Sequence, residues 1–122
     1  MLPLGFEMME EVYKIIENKK GNYYTLFHGV DGSRLLPINT WLNANKRLVK
    51  DGSDGLIYES GFHCFLDLNI AHNYIRHFRK NKNRTIIKCI ANNIRQKPTN
   101  PNVYLADAIF IPSGDEKKWI QK

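Results

Sequence analysis

The sequence predicts an α+β fold: a mainly antiparallel sheet with an N-terminal helix and a second helix after a Gly-Phe-His strand. Three observations predict it. Apolar residues recur at helical spacing near the start, then give way to short aromatic and β-branched runs. The resulting order is helix, strand, short helix, strand, helix, strand, strand, with turn residues between the elements. The length, 122 residues with 43% apolar and 25% charged, suits one domain able to bury a core. That domain spans 1–122: an N-terminal helix over 1–19, a core over 20–112 and a tail over 113–122.

The first helix is read over 6–18 from Phe6, Met9, Val12, Tyr13 and Ile16, with Lys19, Lys20 and Gly21 as its stop. Tyr23-Tyr24-Thr25-Leu26-Phe27-His28-Gly29-Val30 follows as a strand, and Asp31-Gly32-Ser33 as a turn. Pro37 breaks the next stretch. Asn39 or Thr40 then caps a short helix holding Trp41, Leu42 and Ala44. After the loop Asp51-Gly52-Ser53-Asp54-Gly55, Tyr58 leads into a strand through Gly61-Phe62-His63-Cys64-Phe65. Asp67 caps a helix over 68–80 whose apolar stripe is Ile70, Ala71, Tyr74, Ile75 and Phe78. Thr85 to Ala91 is a strand. The stretch 96–102 reads as a loop, because Pro98 and Pro101 lack amide donors. Val103 to Ile111 is the final strand.

The charge is unevenly placed. Lys and Arg number 18 against 12 Asp and Glu, a net +6. Residues 68–106 contain no Asp or Glu, yet carry Arg76, Arg79, Lys80, Lys82, Arg84, Lys88, Arg95 and Lys97. All the acidic residues lie elsewhere, so the positive character belongs to one stretch. Arg76, Arg79, Lys80, Lys82, Arg84, Arg95 and Lys97 are the candidate binding surface, for phosphate or for an acidic protein patch. Cations at a helix C-terminus also complement its dipole, so part of the cluster has a structural reason. No helix-turn-helix, zinc-finger or RNP pattern accompanies it.

Other classes are disfavoured. No apolar run approaches the roughly 18–20 residues of a membrane span. The opening residues turn acidic too early for a signal peptide. Cys64 and Cys89 lack a C-x-x-C spacing, so they read as buried reduced thiols and point to a cytoplasmic location. No G-x-S-x-G elbow surrounds Ser33, Ser53, Ser60 or Ser113.

Three residues break the apolar pattern of their strands. Asp107 shares a face with Val103, Leu105, Ile109 and Ile111, which puts a carboxylate on a surface otherwise aliphatic. It is either a hydrogen-bonded structural residue or a group aimed into a pocket. His28 lies on a face with Tyr24, Leu26 and Val30. His63 follows Gly61-Phe62 in an aromatic strand. These three sit on separate strands without a short H-x-D spacing, so no metal site is expected.

Two resemblances attach to these residues. Tyr58-Glu59-Ser60-Gly61-Phe62-His63-Cys64, then Ala71-His72-Asn73-Tyr74, then the strands 86–91 and 103–111, resemble small uncharacterised proteins of bacteriophages and other mobile elements. That resemblance covers roughly residues 24–111. It implies a viral, bacteriophage origin and action in the host cytoplasm. Leu26-Phe27-His28-Gly29, Gly61-Phe62-His63-Cys64, Ala71 to Tyr74 and Asp107 distantly resemble ADP-ribosyltransferases of the diphtheria-toxin and poly-ADP-ribose polymerase type. This second likeness implies NAD as cofactor, His28 on its ribose, His63 stacking on nicotinamide and Asp107 stabilising the oxocarbenium-like transition state. His63 stands where that family has Tyr, and Asp107 is one methylene shorter than its Glu.

The leading expectation is a small basic phage-type protein that binds a host macromolecule and uses no cofactor. Its partner would be a host protein or nucleic acid with an acidic surface. The alternatives are an ADP-ribosyltransferase-like enzyme using His28, His63 and Asp107, and a nucleic-acid-binding domain stacking bases on Tyr23, Tyr24 and Phe27.

Overall fold

The computed structural model describes residues 9–26, 34–51, 55–76 and 83–113. Its elements are β1 (Met9–Lys19), β2 (Asn22–Tyr24), β3 (Leu35–Leu36), β4 (Trp41–Asn43), β5 (Leu48–Asp51), β6 (Leu56–Glu59), β7 (Phe62–Cys64), α1 (Leu68–Ile75), β8 (Arg84–Asn92), β9 (Arg95–Lys97), β10 (Asn100–Ala106) and β11 (Ala108–Phe110). The α+β expectation is overturned. The chain is mostly antiparallel sheet, bent into a nearly closed barrel, with one helix among the described residues.

The main correction is at the N-terminus. Residues 9–19 form the longest strand rather than a helix. β1 pairs antiparallel with β8 from Met9 opposite Asn92 to Glu17 opposite Arg84. Val12, Lys14 and Ile16 face one side of this ladder and Tyr13 and Ile15 the other, and four of these five are buried. A strand covered on both faces shows no simple alternation, so its apolar residues imitate helical spacing. The β-branched Val12, Ile15 and Ile16 favour the extended form. The expected helix stop is a two-residue hairpin turn: Lys20 and Gly21 both have positive φ, 54° and 85°, and join β1 to β2.

Residues 41–43 also correct a helix to a strand. β4 pairs with β11 as an edge of the six-stranded sheet β3-β2-β1-β8-β11-β4. The two edges of that sheet, β3 and β4, are joined by residues 37–40 alone, so the sheet must curl until they approach. Arg34 bridges the gap, donating from Nη1 to the Asn43 carbonyl at 3.2 Å. The expected loop 96–102 is instead the tip of a hairpin between β9 and β10, and the pairing register shifts between Asn100 and Tyr104, where Pro101 lacks an amide donor.

β8 continues through Asn93 and Ile94 into β9, and β10 continues through Asp107 into β11. The two arms form one long hairpin that passes from the six-stranded sheet into the three-stranded sheet β7-β10-β9. Phe65 closes the ring: its amide and carbonyl both bond Tyr13 of β1, at 2.8 and 2.7 Å. Inside lie Val12, Ile16, Phe62, Cys64, Ile87, Cys89 and Ile109. Outside, α1 covers Ile15, Ile86 and Val103 with Ala71 and Ile75, and Tyr74 packs at a tilt against Phe65 with ring centres 5.1 Å apart.

The helix starts where expected. Asp67 accepts from the amides of Asn69 and Ile70 at 2.7 and 3.3 Å. Gly61 is needed for a close crossing, since a Cβ there would lie 2.8 Å from the Ala106 carbonyl oxygen.

Candidate functional site

Asp107 occupies the bend where β10 becomes β11. Its amide donates to Asn92 O at 3.0 Å, and its carbonyl accepts from Ala44 N at 2.8 Å. The backbone is therefore held by strands on both sides of the bend. Its carboxylate is one-fifth exposed, 20%, and is surrounded by donors. Arg95 Nη1 lies 2.8 Å from Oδ1, Asn93 Nδ2 3.1 Å from Oδ2, and Lys46 Nζ 3.5 Å from Oδ2. Burial alone would push the carboxyl pKa up. The hydrogen bonds from Arg95 and Asn93, with the charges of Arg95 and Lys46, outweigh it and hold the pKa below its ordinary value.

Arg95 extends this cluster outward. Its Nη2 donates to the carbonyls of Glu59 and Ser60 at 3.2 and 3.0 Å, and the same guanidinium stands 3.9 Å from the Glu59 carboxylate. Lys46 reaches both Asp107 and Glu59. The cluster thus ties the base of the β5–β6 ribbon to the corner of the barrel.

A second group lies inside. Lys14 is only 5% exposed. Its Nζ donates to the His63 carbonyl at 2.8 Å and stands 5.5 Å from the centre of the Phe62 ring. Arg34 approaches the same ring at 5.5 Å. Burial pushes the Lys14 pKa down, opposed by the nearby sulfurs of Cys64 and Cys89. Burial also pushes those thiols up, to about 11 and about 12, so they are protonated at neutral pH. Cys64 Sγ donates to Tyr104 O at 3.6 Å. The helical reading of 6–18 leaves Lys14 off the apolar stripe, so the sequence pattern does not mark it as a buried residue.

Only some of the residues expected to form a site fall within the described residues. His28 lies outside the described residues, as do Arg79, Lys80 and Lys82. His63 is half-buried on β7 opposite Leu105, two residues before the Asp107 bend. Both oxygens of Asp107 are engaged by Arg95, Asn93 and Lys46. Of the basic set, Arg76 is exposed at the C-cap of α1, and Arg84 opens β8. Arg95 and Lys97 lie beyond the far end of β8, roughly 27 Å of strand from Arg84. A contiguous run of sequence thus becomes two basic ends. The C-terminal end of α1 holds an exposed cation, whereas Arg95 is spent on the corner.

Among the described residues, no group of three or more His, Cys, Asp or Glu side chains is placed to hold a metal ion. No helix there is long and apolar enough to cross a membrane. The class defined by fold and site is a small antiparallel barrel with a stitched corner and a projecting two-stranded ribbon. No family model matches the chain, and no curated protein or solved structure shows significant similarity to it.

Proposed function

We propose that the chain is a binding module that occupies an acidic protein surface of a host cell, using the basic junction between α1 and β8. One observation carries the reading. Arg76 and Arg84 flank the connection 77–82, so five cations, Arg76, Arg79, Lys80, Lys82 and Arg84, fall within nine residues without an acidic neighbour in the sequence. Such a cluster raises the encounter rate with an anionic partner and rejects cationic ones. A protein partner is favoured over nucleic acid because Tyr23, one member of the expected stacking platform, is buried in the core at 8% exposure.

Affinity capture from host lysate, with and without nuclease treatment, tests this reading, with wild type set against Arg76→Glu/Arg84→Glu. The reading expects a partner retained by wild type, lost by the variant and released as salt rises. Equal retention by both proteins refutes it. Loss of the partner on nuclease treatment assigns the surface to nucleic acid instead.

A further inference from the structure

β5 and β6 form a two-stranded ribbon outside both larger sheets. Leu48 and Ile57 stand on one face of it, 73% and 66% exposed. A ribbon of two strands is marginal in water without a third. Its bonding parity can be read from one contact. Ser60 N donates to Arg47 O at 2.9 Å, so Val49 faces Tyr58 in a hydrogen-bonded pair, and Leu48 and Lys50 face Glu59 and Ile57 in non-bonded pairs. The amides and carbonyls of Leu48 and Lys50 therefore point away from β6, as those of Ile57 and Glu59 point away from β5. On the β6 side the Glu59 carbonyl is taken by Arg95. On the β5 side both outward residues keep their backbone groups unclaimed among the described residues.

We propose that the outer edge of β5 pairs antiparallel with β5 of a second copy of this chain, about a two-fold axis at Val49. The proposal is independent of the host-binding reading. Parity selects the register. Outward residues must meet outward residues, so the axis can pass only through a residue position. An axis at Lys50 sets Lys50 against itself, and one at Leu48 sets Lys46 against Lys50 of the other copy. An axis at Val49 sets Leu48 opposite Lys50 of the second copy, with Val49 opposite Val49. Arg47 is then in register with Asp51, of opposite charge. Each Leu48–Lys50 pair exchanges both backbone bonds, and the ribbon becomes a four-stranded sheet. The Lys50 side chain does not bar the register, because it folds back over Gly55: its Cε lies 2.9 Å from where a Cβ on that glycine would be.

The test is sedimentation and light scattering of the full chain over a concentration series. Wild type is expected to show a reversible monomer–dimer equilibrium. Leu48→Lys places like charges opposite each other in both symmetry-related pairs and is expected to weaken the dimer roughly 10–30-fold. Adding Lys50→Glu makes each of those pairs opposite in charge and should restore it. Leu48→Pro removes an outward amide without touching a β5–β6 bond, and should weaken the dimer too. Circular dichroism checks that every variant keeps its sheet. Wild type that stays monomeric throughout overturns the proposal and makes Lys50 a device that blunts the edge. A dimer indifferent to Leu48→Lys, or not recovered in the double variant, overturns it equally.

Discussion

Replacing Lys14 with Met turns a buried amine into a near-isosteric apolar chain, and its signature is a change in pH dependence. In the folded protein the Lys14 pKa is depressed by burial. Unfolded, it returns to its ordinary 10.5. Between the depressed folded value and 10.5, the unfolded chain binds one more proton than the folded one. Stability must then rise with pH, by up to about 1.4 kcal/mol per pH unit for one proton. The thiols act in the opposite sense, but only above their ordinary value of 9.0, where the unfolded chain loses protons that folded Cys64 and Cys89 keep to about 11 and about 12. Measurements from pH 6 to 8.5 therefore isolate the amine. The substitution also leaves the His63 carbonyl without its Lys14 donor, at a cost of about 1–3 kcal/mol that does not vary with pH. Urea unfolding of both proteins across this range gives the stability difference at each pH. Lys14→Met is expected to lose ground to wild type as pH rises above the depressed folded value. Parallel curves, with a constant difference from pH 6 to 8.5, would refute a burial-driven depression of the Lys14 pKa that reaches into this range.

Two further expectations concern the corner and the crossing. Arg95→Ala removes donors from Asp107 and from the Glu59 and Ser60 carbonyls, and should cost about 2–3 kcal/mol in urea unfolding. Hydrogen exchange should quicken in β5 and β6 more than in β1, because the ribbon loses its anchor. Gly61→Ala drives a Cβ against the Ala106 backbone, which cannot rotate away as a side chain would; a loss of about 1–3 kcal/mol is expected in thermal or urea unfolding, and a neutral result would show that the crossing is looser than 2.8 Å implies.

The elements legible in the sequence were those whose signals are local. Asp67 announces a helix because an N-cap needs only its own side chain and the next amides. The β8 strand and the 103–111 segment are visible in their aliphatic content. The pattern of β1 imitates a helix because Ile15 and Ile16, like Ile86 and Ile87, are neighbours buried on opposite faces, and the helix packed outside the barrel explains why both faces are dry. The odd position of Asp107 was equally visible. Its partners were not, since Lys46 and Arg95 reach it from separate strands. Its structural alternative matches the contacts seen at the bend.

Residue types and their order establish the start of the helix, the two thiols and the concentration of positive charge in residues 68–106. Tertiary structure decided how that charge is used. A strand advances about 3.3 Å per residue, so Arg84, which opens β8, and Arg95, which lies past its end, are held apart by the length of that strand although few residues separate them. The bend at Asp107 then draws Arg95 inward as a structural cation. Residue type and spacing along a chain state which charges exist. Which of them meet solvent, and which meet each other, depends on strand pairings between distant segments, and those form only when the sheet closes.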